Sequence, residues 1–177
     1  NSAAWDLAFE GYDIYTNSGL SGTGLGGALG PYAPDIFESG IDPASPIITH
    51  DSIGGAFLRW YAYDYENPAH ALFSRFHVFG VKDGPRIWKV QILSYYGEQN
   101  GAPLSAFYRL RYAELKESGP LKSVELSNID GTAGGASGSE NSPSGCLDFD
   151  TQGITQLSPP EIAASSAWHL CFRREII

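Results

Sequence analysis

The stretch FHVFGVKDGPRIWKVQILSYY, at residues 76–96, gives the clearest indication of the fold. It contains two runs rich in aromatic and β-branched residues, which is typical of β-strands. Asp83-Gly84 between the two runs is typical of a tight hairpin turn. Residues 107–115 form another run of this kind, and residues 57–63 form an earlier one. Consecutive strands joined by short turns form an antiparallel meander. We therefore predict an all-β domain of antiparallel sheets arranged as a β-sandwich.

Long glycine-rich loops separate the predicted strands. Residues 17–30 contain too many glycines to hold regular structure alone, and they lack the Gly-Lys-Ser or Gly-Lys-Thr ending of a phosphate-binding loop. Residues 131–145 are almost all Gly, Ser, Ala, Asn and Pro, which indicates a loop or linker. The one predicted helix is short and covers residues 159–164, where two prolines open it and Glu161 lies in the first turn.

Two similar strips lie near the two ends of the chain. Residues 4–9 read AWDLAF and residues 167–172 read AWHLCF. Both place Trp, Leu and Phe at alternate positions, which is the period of a strand with one buried face. This pattern indicates either a cut tandem repeat or a permuted domain whose ends meet in one sheet.

Size and charge limit the class of protein. With 177 residues, 42% of them hydrophobic, the chain is long enough for one domain with a substantial core. Its net charge of −9 argues against a nucleic-acid partner, because phosphate binding depends on Lys and Arg. The sequence contains no apolar run approaching the ~20 residues of a transmembrane helix.

The two cysteines, Cys146 and Cys171, both lie in the last fifth of the chain. A disulfide between them would close a loop of roughly 25 residues and stabilise the fold by about 3 kcal/mol. The alternative is a pair of buried reduced thiols. We expect the disulfide, because the rest of the chain has the character of an exported protein.

Several stretches, taken in order, resemble the HmuY-like haem-binding proteins of bacterial outer surfaces. Near the N-terminus the resemblance lies in WDLAF (5–9), YDI (12–14), TNSG (16–19) and SGTGLGGA (21–28). In the meander it lies in WY (60–61), FHVFGVK (76–82), DG (83–84), KVQI (89–92), YY (95–96) and FYRLRY (107–112). The resemblance covers residues 4–115. It implies an all-β domain that grips haem or a related tetrapyrrole between strands. It also implies a secreted, periplasmic or outer-membrane surface location, with an outer-membrane receptor as a further partner.

The family usually has an additional strand before its Trp-Asp segment, and residues 146–172 resemble that missing opening. We therefore expect residues 1–177 to form a single domain in which residues 146–177 supply the opening strands in permuted order. The alternative is that these residues fill the same place in a neighbouring molecule, which would give a homo-oligomer by strand exchange. We favour completion within one chain.

The candidate ligands for haem iron or for another metal ion are His70, His77, His50 and Tyr65. Alignment with the family on Trp60 places a family ligand near Tyr65, so the resemblance does not assign a histidine there. His70 lies in a predicted loop, His77 alternates with apolar residues at the start of a strand, and His50 ends a short edge segment. A single histidine of this kind is more often structural than a ligand.

Haem also needs a flat apolar slot and donors for its propionates. Arg59 or Arg75 are candidates for the propionate contacts. The aromatic side chains near the predicted central loops are candidates for lining the slot, although packing in the core is the simpler interpretation for each: Phe57, Tyr61, Tyr63, Tyr65, Phe73 and Phe79.

Two other functions remain open at this point. Two imidazoles from distant loops would suit a copper ion, which makes a copper-binding surface protein the second hypothesis. The third is a structural or assembly module without a ligand. We do not expect an enzyme, because the sequence contains neither a Gly-x-Ser-x-Gly elbow nor a His-Glu-x-x-His helix. The acid pair Asp148 and Asp150 is expected to lie on one face of a strand, in solvent.

Overall fold

The computed structural model describes residues 12–39, 47–66, 71–116 and 119–174. The N-terminal strip at 4–9 and His70 lie outside these residues. The described chain is mostly strands in three antiparallel sheets, which confirms the predicted all-β class. The elements are β1 (Tyr12–Tyr15), β2 (Gly27–Tyr32), β3 (Tyr61–Tyr63), β4 (Leu72–Ser74), β5 (Val78–Asp83), β6 (Arg86–Gln99), β7 (Ala102–Glu114), β8 (Val124–Asp130), β9 (Ser144–Leu147), β10 (Ile154–Leu157), α1 (Pro159–Ala164) and β11 (Leu170–Arg174), with short 3-10 helices at Pro34–Phe37 and Gly135–Ser137.

The predicted meander forms the centre of a five-stranded sheet with the order β2-β5-β6-β7-β8. Asp83 pairs with Arg86 across the β5–β6 turn, as the Asp-Gly signal predicts. At the β6–β7 turn, Asn100 and Gly101 have φ of 53° and 78°. Two successive positive φ values match the right-handed twist of the flanking strands, so this turn sets the register of the two longest strands.

The strand expected at residues 57–63 is shorter than predicted, since only Tyr61–Tyr63 is extended. Arg59 has a φ of 61°, which interrupts an extended backbone. Phe57 and Trp60 are both buried, and a spacing of three residues does not fit the alternation of a strand. The short β3 pairs with β4 in a separate two-stranded sheet.

The first and last of the described strands lie side by side in the four-stranded sheet, whose order is β1-β11-β9-β10. Ile14 of β1 pairs with Phe172 of β11. On the other side of β11, Cys171 lies directly opposite Cys146 of β9. These two cysteines form a disulfide with a Cα–Cα distance of 4.0 Å, as predicted. We call residues 144–174, from β9 to β11, the C-terminal module.

Side chains from the four- and five-stranded sheets meet in one apolar core. Phe172 of the C-terminal module lies 4.7 Å from the ring of Tyr108 in β7. Phe149 stacks on Tyr112 of β7 at 4.5 Å. The C-terminal module is therefore an integral part of the core rather than an appendage.

The short helix α1 forms where the sequence predicts it. Glu161 accepts hydrogen bonds from the backbone N–H and the hydroxyl of Ser158, at 2.8 and 2.5 Å, which closes the first turn. The helix buries Ile162, whose carbonyl accepts a hydrogen bond from Trp168 Nε1 at 3.2 Å. In the part of the chain described, no helix has both the length and the apolar character needed to cross a membrane.

Candidate functional site

Asp51 organises the glycine-rich loop that follows β1. Its carboxylate is buried and accepts hydrogen bonds from the backbone N–H of Thr16 at 2.8 Å, from that of Ser18 at 3.2 Å, and from the Ser21 hydroxyl. Burial raises the pKa of Asp51, while these hydrogen bonds act in the opposite direction. The carboxylate of Asp51 therefore fixes the backbone of the loop at Thr16 and Ser18.

Asn17 joins the same loop to the C-terminal module. Its Nδ2 donates to the carbonyls of Trp168 at 3.0 Å and Ser165 at 3.2 Å, while its Oδ1 accepts from Gly24 N–H at 3.1 Å. The backbone packs so closely here that a Cβ at Gly26 would lie 1.6 Å from Thr16 O. Glycine is therefore required at position 26, and the loop has a defined shape.

A cleft of about 500 Å³ lies between this loop and the C-terminal module. Its titratable lining consists of Lys82, Asp83, Asp148, Asp150 and His169. Each of Asp148, Asp150 and His169 has one atom that could bind a metal ion, and these three atoms lie within 4.8 Å of one another. No pattern in the sequence predicts that these three side chains meet, because their proximity depends on the turn after β9 packing against the segment before β11.

These acids already have partners. His169 Nε2 lies 3.2 Å from Asp83, while its Nδ1 accepts a hydrogen bond from Phe149 N–H at 3.1 Å and lies 3.2 Å from Asp148. Arg86 donates two hydrogen bonds to Asp150, at 2.6 and 2.9 Å, and its guanidinium lies 4.5 Å from the centre of the Trp88 ring. These hydrogen bonds lower the pKa of Asp150. We call Asp83, Arg86, Asp148, Asp150 and His169 the acidic network. A metal ion would have to displace Arg86 from Asp150.

The expected placement of the acid pair on a strand face is wrong, although Asp150 is exposed as expected. β9 ends at Leu147, and Asp148 and Asp150 lie in the following turn. Asp148 accepts hydrogen bonds from Asp150 N–H at 3.0 Å and from the Thr151 hydroxyl at 2.7 Å. An Asp side chain that bonds the backbone two residues on favours a turn over a strand, and this local competition ends β9 early.

The described ligand candidates lie on different elements. His50 is exposed and lines a second cleft, of about 600 Å³, near the end of β5. His77 directly precedes the start of β5, and its Nδ1 is buried without a hydrogen-bond partner among the described residues. Tyr65 follows β3 and is 78% exposed. The three side chains therefore lie on three different segments, and His50 and His77 lie near opposite ends of β5. His70 is not among the described residues.

The candidate slot residues divide into two groups. Phe57 and Phe79 are buried and stack on each other at 4.2 Å, so the simpler interpretation as core packing is correct for these two. The aromatic residues around the β3–β4 hairpin are different. Three of them are exposed, and we call these the hairpin surface: Tyr65, Phe73 and Phe76.

Two contacts define the surroundings of the hairpin surface. The ring of Tyr65 lies 4.6 Å from that of Tyr63 in an edge-to-face arrangement. Arg75 donates from Nε to the Tyr61 carbonyl at 2.9 Å, which fixes its guanidinium at the base of the hairpin. The other candidate cation, Arg59, is exposed two residues before β3. The hairpin thus offers aromatic rings, a phenol oxygen and a positive charge.

Comparison of the chain with protein-family models, with curated proteins and with solved structures gives no match.

Proposed function

We propose that this chain is an exported protein that captures haem or a related tetrapyrrole at the bacterial cell surface, with the hairpin surface as its contact. One observation carries the proposal. Among the described residues, the only large aromatic side chains that are exposed are Tyr65, Phe73 and Phe76. Exposed apolar groups that gather in one part of a surface often mark a ligand or partner site.

The chemistry of the hairpin surface fits a tetrapyrrole. A porphyrin is a flat apolar ring, and aromatic side chains stack on such rings with a favourable energy of about 0.5–1.5 kcal/mol per contact. A tyrosine oxygen is a known axial ligand of haem iron. Tyr65 is exposed and held at its ring by Tyr63, so its oxygen can reach an iron without displacing core residues.

The cations near the hairpin support the same ligand class. Haem carries two propionate groups, which need positively charged or hydrogen-bonding partners. The chain as a whole has a net charge of −9, which would repel an anion in general. Arg75, held at the base of the hairpin and next to Phe76 in the chain, supplies a positive charge at one end of the hairpin surface, whereas Tyr65 lies in the loop at the other end.

Titration with hemin tests the proposal. We expect a shifted Soret band at micromolar protein. Tyr65→Phe keeps the ring and removes the oxygen, so it should change the visible spectrum of the bound iron and weaken binding. Tyr15→Phe is the matched control, because Tyr15 packs beside the disulfide cluster and donates to Asp13 at 3.0 Å. An unchanged hemin spectrum in the presence of the wild-type chain would reject haem capture and favour an assembly module without a ligand.

Copper binding by two histidines gains no support from the described residues. His50 and His77 lie near opposite ends of β5, and His169 already contacts Asp83 and Asp148. Metal analysis of protein from its native source distinguishes this alternative, since a stoichiometric copper content would replace the haem proposal.

A further inference from the structure

Phe76, in the hairpin surface, has an unusual backbone conformation. Its φ is 55°, in the left-handed region that bulky residues rarely adopt. In an uninterrupted strand Phe76 would share a face with Val78, which is fully buried. The positive φ breaks this alternation, and Phe76 is instead 47% exposed. The fold therefore keeps an aromatic ring at the surface through a backbone conformation that itself costs free energy.

Hydrogen bonds to one strand hold Phe76 on both sides. The Phe76 N–H donates to Ser74 Oγ at 2.9 Å, and the Ser74 hydroxyl donates to the Ile92 carbonyl at 2.6 Å. The Phe76 carbonyl accepts a hydrogen bond from Gln91 Nε2 at 2.5 Å. Gln91 and Ile92 are neighbours in β6, a central strand of the five-stranded sheet. A strained residue persists only where its surroundings over-determine it, and here β6 does so.

Gln91 is a polar side chain within an apolar stretch of β6. It is 2% exposed and lies between the buried residues Val90 and Ile92. Its Oε1 accepts a hydrogen bond from Arg111 Nε at 2.7 Å. Because a guanidinium can only donate, this contact fixes the amide so that Nε2 points to the Phe76 carbonyl. An apolar side chain of similar size would fill the same space without holding that carbonyl.

We propose that Gln91 is a positioning residue for the ligand contact, because it holds the Phe76 ring at the surface in position to stack on a planar ligand. The inference rests on the proposed function, in which the hairpin surface binds a tetrapyrrole. Gln91 is buried in the five-stranded sheet and does not touch the ligand. A ring that is already ordered loses less freedom when the ligand binds, so Gln91 increases affinity only through Phe76.

A double-mutant cycle with hemin tests this coupling. Gln91→Leu releases the Phe76 carbonyl, and the affinity for hemin should fall about threefold, roughly the effect of one aromatic contact. Phe76→Ala should give a fall of similar size. Gln91→Leu added to Phe76→Ala should cause no further fall, because no ring is left to position. Gln91→Leu added to Phe73→Ala should keep its full effect, because Phe76 is still present.

A purely structural role for Gln91 would give a different pattern. Ser144→Ala is the matched control, since Ser144 is also fully buried and donates to a backbone carbonyl, that of Phe172. This variant should lower the urea midpoint, as Gln91→Leu does, and leave hemin affinity unchanged. If Gln91→Leu weakens hemin binding equally with and without the Phe76 ring, or not at all, the positioning role is overturned and the proposed function stands. A wild-type chain that does not bind hemin overturns both.

Urea unfolding without ligand measures the strain at Phe76. Phe76→Gly and Phe76→Ala both lose the ring, but only glycine adopts a positive φ freely. The glycine variant should therefore have the higher urea midpoint. At Phe73, within β4, the order should be reversed, because glycine weakens the interior of a strand. A higher midpoint for alanine at both positions would show that Phe76 is not strained, and would overturn the positioning role.

Discussion

The hairpin surface and the acidic network are both rich in residues that suggest a site, but they differ in how their groups are satisfied. In the acidic network each carboxylate has a cationic or hydrogen-bonding partner, and Arg86 bridges Asp150 and Glu114. On the hairpin surface, Phe73 and Phe76 expose about half of their area. Polar groups that already have partners stabilise the fold. Exposed apolar area, by contrast, favours binding, because the free energy falls when a ligand covers it.

The largest expected effect comes from Asp51, which shapes one wall of the cleft beside the acidic network. Asp51→Ala leaves the buried N–H groups of Thr16 and Ser18 without their acceptor. Each unsatisfied buried donor costs about 1–3 kcal/mol, so we expect the free energy of unfolding to fall by about 4 kcal/mol. Urea unfolding measures this. Asp51→Asn keeps one acceptor oxygen and should lose about half as much; equal losses would contradict the explanation.

Removal of the disulfide should have the next largest effect. Cys146→Ser with Cys171→Ser frees a loop with a sequence separation of 25 residues. The free energy of unfolding should fall by about 3 kcal/mol, because the unfolded chain regains entropy. Urea unfolding with and without a reducing agent provides the measurement. The double variant should be insensitive to the reducing agent, and a wild-type chain that is equally insensitive would show that the disulfide does not stabilise the fold.

Arg86→Ala weakens the acidic network directly. Salt bridges of partly exposed groups contribute about 0.2–1 kcal/mol each, and a cation–π contact adds roughly 0.5–1 kcal/mol. We therefore expect a loss of about 1–2 kcal/mol in the free energy of unfolding at neutral pH, and an unchanged hemin spectrum. Lys122→Ala, in an exposed segment before β8, is the control for loss of one positive charge. A lost Soret shift in Arg86→Ala would move the proposed site from the hairpin surface to the cleft.

The same variant has a defined pH dependence. Hydrogen bonds from Arg86 lower the pKa of Glu114 and of Asp150 below their ordinary values of 4.5 and 3.8. Folding therefore favours the ionised carboxylates. Their contribution to the free energy of unfolding is fully present above the ordinary pKa values and is lost as the pH falls through the lowered pKa values of the folded state. The difference in unfolding free energy between the wild type and Arg86→Ala should shrink as the pH falls below 4.5. Urea titrations at a series of pH values measure it, and a constant difference would contradict this origin.

The hairpin surface should show the smallest effect on stability and a clear effect on binding. Phe73→Ser with Phe76→Ser should lower the free energy of unfolding by about 1 kcal/mol, because about half of each side chain is already exposed. The affinity for hemin should fall by about tenfold, since two aromatic contacts are lost. Leu20→Ser with Ile53→Ser removes similar exposed apolar area elsewhere and should leave hemin binding unchanged.

Local signals predicted several elements well. The Asp-Gly turn at residue 83, the helix beginning after Ser158 and the Cys146–Cys171 disulfide are all found where the sequence places them. Each depends on a few neighbouring residues or on one covalent pair. The strand expected from residue 57 begins only at Tyr61, because Arg59 adopts a positive φ. No local sequence pattern predicts that φ value.

The candidate site was less predictable. The sequence indicated aromatic residues between 57 and 79 as candidates for lining a ligand slot. It could not distinguish buried Phe79 from exposed Phe73, because both lie in short apolar runs. The acidic network was missed, since Asp83 and His169 are 86 residues apart and meet only when the two sheets pack. The burial of Asp51 could not be predicted, because the hydroxyl side chains that bond its carboxylate, Thr16 and Ser21, lie at least 30 residues earlier in the sequence.

By itself, the sequence determined the strand-rich class, the hairpin turns of the meander and the similarity between the strips at its two ends, because alternation and turn chemistry act over a few residues. The similar strips led us to expect that the ends meet in one sheet, but the tertiary structure alone decided the register of β11 beside β1, with Ile14 opposite Phe172, and that Arg86 reaches Asp150. It also decided which aromatic rings stay at the surface. These outcomes depend on how two sheets share one core, and burial of that core is a property of the whole chain rather than of any segment.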